Sequence, residues 1–362
     1  MSNDRLKVAV GLSGGVDSSV AAALLKEKGH DVVGITMEIY DSSLSIKESR
    51  KHACYGPGEK EEVEKAASVC KTIGIPFHVL DLKKEYRQHV IDYFRGEYLK
   101  GRTPNPCVVC NKKLKFGFLL EKAKDAGITF EAFATGHYAE IANSGGRYLL
   151  KRAVDRSKDQ TYFLYTLTPE ELSRTLFPLG GFTKQQVREM ARSLKLETAG
   201  DPESQDFIAG GDYASLFTEE EIKEGDIVDE KGEILGKHRG IIHYTIGQRR
   251  GLGIAAPQPL YVVKIDAENN RIVVSDRAKA FSEGLIATDL NLINLERLDR
   301  PYRIKAKIRL NHKETEATVF PHENDRAKVL FESEQMSVTP GQSIVFYDDD
   351  IVLGGGIIER AL

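Results

Sequence analysis

The chain contains a glycine- and serine-rich stretch whose residue types suit phosphate binding. It reads Gly11-Leu12-Ser13-Gly14-Gly15-Val16-Asp17-Ser18 and lies between an apolar run and a helix-like segment. Adjacent glycines let the backbone approach an anion closely, and the free N–H groups and the dipole of a following helix favour phosphate. The stretch has no lysine, which excludes the GxxxxGK[ST] nucleotide loop. A Gly-Ser turn is also a common connection, but the full stretch between a strand and a helix favours phosphate binding.

Cysteines form the second group of residues that could do chemistry. Four cysteines in 362 residues are too few for a disulfide scaffold, and in a reducing compartment paired cysteines indicate metal or redox chemistry. Cys107 and Cys110 form a CxxC pair, which suits either two thiols or two ligands of a metal or an iron–sulfur cluster. Cys54 lies in a glycine- and proline-rich turn and is a candidate third ligand. Cys70 lies on an apolar helix face and is assigned to the core.

Strands and helices must position these residues. Short apolar runs at 7–12, 31–37, 76–82 and 131–135 are separated by segments with helical periodicity, one of them near 84–100. This alternation predicts an α/β fold with a doubly wound parallel sheet. The pattern changes near residue 205 to strand, turn, strand, and short alternating runs follow one another from about residue 286. A small, mostly-β central domain and a C-terminal β-barrel are therefore predicted. The predicted domains are 1–208, 209–281 and 282–362.

The composition narrows the class of protein. With 41% hydrophobic and 29% charged residues, it is that of a soluble globular protein. The polar first residues and the lack of a run of roughly 18 apolar residues predict neither a signal peptide nor a membrane span. We therefore expect a cytoplasmic protein without a membrane partner. The formal net charge of -3 gives no overall sign of nucleic-acid binding, so any RNA contact must come from local basic clusters.

Several stretches resemble the tRNA-specific 2-thiouridylase family, and the SGGxDS pattern resembles the pyrophosphate loop of the ATP pyrophosphatase superfamily. The similar stretches follow the family's order along almost the whole chain. They are GRTPNPCVVCN (101–111), ATGHYA (134–139), SKDQTYFL (157–164), YTIGQRRGLG (244–253) and TPGQSIVFYDDDIVLGGGII (339–358). The resemblance implies a three-domain enzyme that uses ATP to adenylate the O2 oxygen of the wobble uridine of Glu, Gln and Lys tRNAs. Sulfur then displaces AMP.

The resemblance also implies the site residues, position by position. The implied ATP-binding residues are Gly11, Leu12, Ser13, Gly14, Gly15, Val16, Asp17, Ser18, Met37 and Gly136. The implied tRNA-binding residues are Asn105, Pro106, Cys107, Lys158, Asp159, Gln160 and Arg309. The family pairs this arginine with a tyrosine, where this chain has Leu310. Asp17 is expected to help hold Mg²⁺ in the ATP step, and Cys107 and Cys110 are the expected catalytic residues of sulfur transfer.

The cysteines depart from the family's pattern. Many members pass a persulfide sulfur between two cysteines, one at position 110 and one in the segment that corresponds to 202–209. Ile208 occupies that second position here, whereas Cys107 replaces the family's aspartate. The preferred interpretation is an iron–sulfur cluster held by Cys54, Cys107 and Cys110, with one iron free to bind hydrosulfide. A Cys110 persulfide resolved by Cys107 and a structural zinc are the alternatives, and the sulfur donor is a protein or sulfide.

Two other functions are compatible with parts of the sequence. A small-metabolite synthetase of the amidotransferase type would share the pyrophosphate loop, but the chain shows no recognisable glutaminase half and carries a C-terminal β domain with basic strands. An RNA-binding protein that has lost catalysis would share the fold, but the intact loop and the CxxC pair disfavour it.

Overall fold

The computed structural model describes residues 5–42, 46, 53–201 and 206–362, and contacts divide the chain into two units. The first unit consists of Met1–Val90, Cys107–Asp212 and Asp350–Val352. The second consists of Ile91–Pro106, Tyr213–Asp349 and Leu353–Leu362. The division into three domains, with boundaries near residues 208 and 281, stays a prediction.

The core of the first unit is the predicted parallel sheet. The strands of this unit are β1 (Lys7–Gly11), β2 (Asp31–Glu38), β3 (Ala53–Tyr55), β4 (Phe77–Asp81), β5 (Ala132–Thr135), β6 (Ala139–Ser144), β7 (Arg147–Arg152), β8 (Thr175–Leu176) and β9 (Asp206–Ile208). Five of them form a sheet in the order β4-β2-β1-β5-β8, and every pairing in it is parallel. The first strand of the chain therefore lies in the middle, and the strand order reverses beside it. Doubly wound sheets bind ligands at the carboxyl ends of the strands at such a point.

Helices separate these strands along the chain. The α-helices are α1 (Val16–Glu27), α2 (Glu59–Ile73), α3 (Lys83–Tyr86), α4 (Asp92–Leu99), α5 (Pro106–Val109), α6 (Leu119–Asp125), α7 (Pro169–Ser173) and α8 (Lys184–Ser193). The helix predicted near 84–100 contains the π-helical segment Arg87–Ile91, and a second π-helical segment, Cys110–Phe118, follows α5. Widened turns of this kind occur often at functional sites. Among the described residues, none of the helices has both the length and the apolar character that a membrane crossing needs.

Two apolar clusters hold the helices of the first unit. One joins β1, β2 and β5 to α1 and α2, and it contains Cys70, which is 1% exposed. The assignment of Cys70 to the core is therefore confirmed. The other cluster joins α1 to α8 through Val20, Val187 and Ala191. Burying a valine contributes roughly 1.5–3 kcal/mol, so this cluster keeps α8 packed against α1.

A β-hairpin that the sequence reading did not predict follows β5. It pairs β6 with β7, from Ala139 opposite Arg152 to the turn at Gly145 and Gly146. Both glycines have positive φ, as a two-residue hairpin turn requires. The hairpin begins at Ala139, three residues after the ATP-binding candidate Gly136.

The strands of the second unit lie where the strand, turn, strand patterns predict them. They are β10 (Gly225–Val228), β11 (Ile234–His238), β12 (Tyr261–Asp266), β13 (Arg271–Ser275), β14 (Phe281–Leu292), β15 (Tyr302–Lys307), β16 (Thr315–His322), β17 (Arg326–Met336), β18 (Ser343–Asp348) and β19 (Ile351–Ala361), whose first residues belong to the first unit. β10 to β13 form a sheet in the order β11-β10-β13-β12. β14 to β19 form a barrel in the order β14-β17-β16-β15-β18-β19, closed by the pairing of β14 with β19. The predicted mostly-β central region and C-terminal β-barrel are confirmed.

Candidate active site

The glycine- and serine-rich stretch leaves β1 and enters α1 at the carboxyl edge of the parallel sheet. Its first residues are anchored to the neighbouring strand, because Leu12 N–H donates to the Ile35 carbonyl at 2.9 Å and the Thr36 hydroxyl donates to the Leu12 carbonyl at 2.7 Å. Gly15 is the N-cap of α1, and no side chain caps the helix there. The first N–H groups of α1 therefore point out of the helix end, as an anion-binding helix requires.

Two glycines of this region are required by close backbone contacts. Gly14 has a φ of +74°, and a Cβ added to it would lie 2.4 Å from the backbone carbonyl oxygen of Glu62. A Cβ added to Gly136 would lie 2.5 Å from the backbone nitrogen of Ser18. The chain after β5 is thereby packed directly onto the first turn of α1. Met37 lies at the carboxyl end of β2, so the structure brings all the implied ATP-binding residues to one edge of the sheet.

Serine hydroxyls fix the shape of the loop. Ser13 N–H donates to the Ser18 hydroxyl oxygen at 3.2 Å, and the two hydroxyl groups lie 3.3 Å apart. The Ser18 and Ser19 hydroxyls donate to the Gly15 carbonyl at 3.1 and 2.8 Å. The loop is therefore preorganised by its own side chains.

Asp17 has two partners that the sequence reading missed. Lys184 Nζ lies 2.7 and 2.8 Å from the two carboxylate oxygens of Asp17, and the Tyr138 hydroxyl donates to one of them at 2.9 Å. Tyr138 is 2% exposed and Lys184 is 9% exposed. These contacts orient the carboxylate at the first turn of α1.

The three candidate ligand cysteines share one electrostatic environment in the first unit. Cys54 is exposed, Cys107 and Cys110 are partly buried, and all three are free. Neighbouring protein atoms reduce the solvation of all three thiols, which raises their pKa values. The pKa of Cys107 rises to about 12, the pKa of Cys110 rises to about 11, and the pKa of Cys54 also rises above its usual value. Lys115 opposes the shift at all three thiols.

The strand that carries Cys54 lies beside the segment in which the family's second cysteine is expected. β3 pairs in parallel with β9, with Ala53 opposite Asp206 and Tyr55 opposite Ile208. Ile208 is completely buried. The part of this segment at 202–205 lies outside the described residues. Tyr55 rather than Cys54 therefore lies opposite the position of the missing thiol, and because successive side chains of a strand alternate in direction, Cys54 lies on the other face of this strand pair.

Glu62 lies near both the loop at residues 11–18 and the thiol of Cys54. Its backbone lies against Gly14, and its carboxylate raises the pKa of Cys54 as a minor contribution beside burial. Burial raises the pKa of Glu62 itself to about 7, with Lys65 opposing the shift. Tyr86 is fully buried, and burial together with the three neighbouring thiols raises the pKa of its hydroxyl well above its usual value.

Among the residues that the structure describes, no group of three or more His, Cys, Asp or Glu side chains converges as the ligands of a single metal ion would. His137, which the sequence reading leaves out of the catalytic set, is held by packing and by a 2.6 Å contact between Nδ1 and the Thr135 hydroxyl. Burial, with Lys115 as a smaller cause, lowers its pKa well below the usual value. The imidazole is therefore neutral at physiological pH.

The implied tRNA-binding residues of the first unit differ in accessibility. Lys158 is partly exposed. The Asp159 carboxylate is 3% exposed and accepts hydrogen bonds from Ala153 N–H at 3.1 Å and from the Thr161 hydroxyl at 2.7 Å. Gln160 forms two hydrogen bonds with the backbone of Tyr138. Its side-chain oxygen accepts from Tyr138 N–H, and its backbone N–H donates to the Tyr138 carbonyl, both at 2.9 Å. Asp159 and Gln160 thus stabilise the conformation of the stretch at 157–164 through hydrogen bonds to neighbouring protein groups.

Three of the family-like stretches meet in the second unit. Thr103 and Thr245 share a hydroxyl contact of 2.6 Å, and the Gln342 amide donates to the carbonyls of Thr103 and Pro104 at 3.0 and 3.1 Å. Asn105 and Pro106 follow directly in the chain. The loop before Cys107 is therefore held by side chains from two distant stretches.

Arg309, the implied tRNA contact on the barrel, is tied to the backbone. Its guanidinium donates to the Ser337 carbonyl. A Cβ added to Gly247, in the family-like stretch at 244–253, would lie 1.8 Å from the Ser337 hydroxyl oxygen. Arg309 is thus fixed in orientation beside the family-like stretch at 244–253.

Family models match consecutive parts of the chain. A model described as tRNA methyl transferase HUP domain matches residues 6–209, one described as tRNA methyl transferase PRC-barrel domain matches 216–276, and one described as Aminomethyltransferase beta-barrel domain matches 282–358.

Curated relatives match nearly the whole chain. The tRNA-specific 2-thiouridylase MnmA of Acetivibrio thermocellus is 51% identical over 98% of this chain and 99% of its own length. The protein of the same name from Clostridioides difficile is 47% identical, again over 98% of this chain and 99% of its own length. Identity at this level along both chains shows the family: this chain belongs to the tRNA-specific 2-thiouridylases.

Proposed function

We propose that the protein is an ATP-dependent tRNA-uridine 2-sulfurtransferase that makes 2-thiouridine at the wobble position of Glu, Gln and Lys tRNAs. The C2 oxygen of the uridine attacks the α-phosphate of ATP, which gives an adenylated base and releases pyrophosphate. Sulfur then attacks C2, and AMP leaves with the former uridine oxygen. Family membership supports tRNA thiolation. The residues of the first unit support adenylation of the uridine followed by sulfur transfer.

The loop at residues 11–18, together with Gly136, forms an anion cradle at the end of β1. This cradle is the observation that carries the proposal. Gly14 and Gly136 allow the backbone of Glu62 and of Ser18 to pack closely against the loop, and the N-terminus of α1 is not capped by a side chain. A tightly packed glycine-rich loop that leads into an uncapped helix N-terminus is the arrangement that binds phosphate in other nucleotide sites. The cradle thus suits the phosphates of ATP, and it differs from the GxxxxGK[ST] nucleotide loop because it contains no lysine.

Asp17 fits a role in holding Mg²⁺. Magnesium in nucleotide sites is bound by one or two carboxylates together with substrate phosphates. The Asp17 side chain is 30% exposed, so one carboxylate at the edge of the cradle meets this need. When bound, the ion would neutralise charge on the phosphates.

The tRNA would be bound by local basic groups and by the ordered loop before Cys107. On β15, the buried Ile304 and Ala306 alternate with the partly exposed Lys305 and Lys307, so basic side chains lie on the outer face of the barrel. Arg249 lines a cavity of about 410 Å³. We assign catalysis to residues 1–208 and tRNA binding mainly to 209–281 and 282–362. We place the reaction in the cytoplasm.

Asn105, Pro106 and Cys107 would contact the target uridine. An enzyme that modifies a base inside folded tRNA must take the base out of its stack. Prolines keep residues 103–106 extended. The Asn105 backbone N–H is hydrogen-bonded to Tyr93; burial raises the pKa of Tyr93 to about 12, and this hydrogen bond opposes the rise. This loop is rigid enough to form one wall of a base pocket.

Cys54, Cys107 and Cys110 would hold an iron–sulfur cluster. Each cysteine of a cluster binds a different iron, so the thiols need not converge on one point. Their raised pKa values mean that they stay protonated unless a cation stabilises the thiolates, as coordination does. Such a cluster, when bound, would supply an iron with no protein ligand for inorganic sulfide. The closeness of the three thiols, seen in the effect of Cys54 on the pKa values of both Cys107 and Cys110, favours this route.

A persulfide on Cys110 is the second route. The terminal sulfur would attack C2 and expel AMP, and Cys107 would then attack Cys110 Sγ, which releases 2-thiouridine and leaves a disulfide. The short CxxC spacing favours this route, and a reductant would be needed for each turnover. It does not use Cys54.

The experiment is anaerobic thiolation of tRNA with ATP, Mg²⁺ and sulfide, with AMP and 2-thiouridine measured together. Asp17→Ala should abolish AMP formation while tRNA affinity stays near wild type, because Asp17 belongs to the ATP step. Asp125→Ala, an exposed carboxylate at the end of α6, is the matched control. Normal AMP release by Asp17→Ala would contradict the assignment.

A further inference from the structure

Tyr86 places a buried hydroxyl near the thiol cluster, by which we mean Cys54, Cys107 and Cys110. It is the last residue of α3, and α3 contacts the π-helical segment that begins with Cys110. Its ring is stacked on the ring of Tyr55, with centroids 5.2 Å apart and an angle of 7° between the ring planes. Tyr55 directly follows Cys54 in β3. The elements next to Tyr86 thus include two that carry cysteines of the cluster.

The surroundings of this hydroxyl make it a hydrogen-bond donor. Burial is the largest cause of its raised pKa, and Cys110, Cys54 and Cys107 follow in that order. Because this pKa lies well above its usual value, the hydroxyl keeps its proton at physiological pH. Among the residues that the structure describes, none accepts a hydrogen bond from it. Its proton is therefore available to a species that binds at the thiol cluster.

The attacking sulfur needs such a donor. Sulfur is a strong nucleophile as an anion, not as a protonated thiol, and a buried anion is stable only when it is paired or hydrogen-bonded. Lys115 supplies positive charge near all three thiols. A protonated tyrosine hydroxyl adds a hydrogen bond, which is stronger to a charged acceptor than to a neutral one.

We propose that the Tyr86 hydroxyl donates a hydrogen bond to the attacking sulfur, the anionic terminal sulfur of hydrosulfide or of a persulfide, when that sulfur is held at the thiol cluster. This inference rests on the proposed sulfur transfer and holds for either of its two routes. The hydroxyl keeps its proton throughout, so it stabilises and orients the anion without taking part in bond formation. Stacking on Tyr55 fixes the plane of the ring that carries it.

Anaerobic thiolation with varied sulfide, at saturating ATP and tRNA, tests the proposal. Tyr86→Phe keeps the ring, and we expect kcat/KM for sulfide to fall at least about tenfold. Pyrophosphate release in the first turnover and tRNA affinity should stay within about twofold of wild type. Tyr55→Phe is the matched control, because it removes a hydroxyl from the same stack. Burial, Asp41, Tyr40 and Arg87 act on that hydroxyl, so kcat/KM for sulfide should stay within about twofold.

The free energy of unfolding separates sulfur binding from a structural role. The Tyr86 side chain is buried, and no described residue accepts its proton, so Tyr86→Phe should not destabilise the protein in urea. A loss of stability, with pyrophosphate release falling as much as thiolation, would show that the hydroxyl supports the fold and would overturn the inference.

A second arm distinguishes the two sources of sulfur. Protein that is persulfidated beforehand is given ATP and tRNA without sulfide, and one turnover is followed. Slower turnover of Tyr86→Phe in this arm assigns the hydrogen bond to the persulfide, and a loss confined to the sulfide arm assigns it to hydrosulfide. Unchanged kinetics in both arms would overturn the inference. Wild-type protein that makes no 2-thiouridine in either arm would instead overturn the proposed function.

Discussion

The Tyr138→Phe substitution isolates one hydrogen bond of the ATP site. Tyr138 is almost completely buried, and its hydroxyl donates to the Asp17 carboxylate at 2.9 Å. Phenylalanine keeps the ring, and with it the packing against α1 and α8. The substitution therefore removes the orientation of Asp17 and little else.

The expected effect follows from the strength of this bond. A hydrogen bond to a charged group contributes about 1.5–3 kcal/mol. Asp17 is partly exposed and keeps its two contacts with Lys184, so the lower end applies. A loss of about 1.4 kcal/mol corresponds to roughly tenfold in rate or affinity, and we expect kcat/KM for ATP to fall about tenfold.

The assay is tRNA-dependent AMP formation at varied ATP, with tRNA affinity measured in parallel. Tyr148→Phe, on the β6–β7 hairpin, removes a tyrosine hydroxyl from a different element and serves as the control. Tyr138→Phe protein with kcat/KM for ATP within twofold of wild type would refute the reasoning. An equal loss in tRNA affinity would refute it too, because the hydroxyl would then act outside the ATP step.

Three further outcomes are expected. Gly14→Ala should abolish AMP formation and leave tRNA affinity unchanged, because a φ of +74° and the Glu62 carbonyl exclude a Cβ at this position. Near-normal AMP formation by this variant would show that the loop at residues 11–18 does not bind the phosphates of ATP. Glu62→Gln should raise the free energy of unfolding at pH 8 by on the order of 1–2 kcal/mol and leave it unchanged at pH 4. Burial raises the pKa of Glu62 from 4.5 to about 7, so the native protein binds this proton more tightly than the unfolded chain does. The wild-type protein therefore loses stability as the pH rises from about 4.5 to 7. Identical pH profiles of wild type and Glu62→Gln in urea denaturation would contradict this. Asp159→Ala should lower the free energy of unfolding by about 3 kcal/mol, because it removes a buried carboxylate that lies beside Arg152 and accepts hydrogen bonds from Ala153 N–H and the Thr161 hydroxyl. A large loss of tRNA affinity without a loss of stability would instead indicate direct contact with tRNA.

Local sequence patterns were sufficient to predict the sheet and the barrel. The apolar runs at 7–12 and 131–135 became β1 and β5 because their neighbours bury both faces. Alternation along 302–307 predicted β15, whose inward residues fill the barrel. The hairpin at Gly145 and Gly146 had a local signal of the same kind, two adjacent glycines between alternating residues, and could have been predicted.

Contacts between distant parts of the chain could not be predicted in this way. Asp17 meets Lys184 across 167 residues because α8 packs on α1, and no local pattern encodes that packing. The one sequence signal for Lys184 is its place in the first turn of a helix, where a basic residue is unfavourable. Burial of Asp159 likewise depends on the strand and loop that surround it. The pairing of β3 with β9, which places Cys54, depends on long-range register.

The sulfur route is decided by one cysteine. If Cys54, Cys107 and Cys110 hold a cluster, Cys54→Ala should reduce iron content and sulfide-dependent thiolation together, and Cys70→Ala should change neither. If a persulfide on Cys110 is resolved by Cys107, Cys54→Ala protein stays active. Full activity of iron-free wild-type protein would overturn the cluster route and leave the tRNA thiolation assignment standing.

Oxygen labelling tests the central claim, adenylation of the uridine O2 oxygen, most directly. A Glu tRNA carrying ¹⁸O at C2 of the wobble uridine is thiolated with unlabelled ATP and sulfide, and AMP is analysed by mass spectrometry. The account predicts one ¹⁸O atom in the phosphate of AMP for each 2-thiouridine formed, and no label in pyrophosphate. Formation of 2-thiouridine with unlabelled AMP, or with the label released into water, would contradict it.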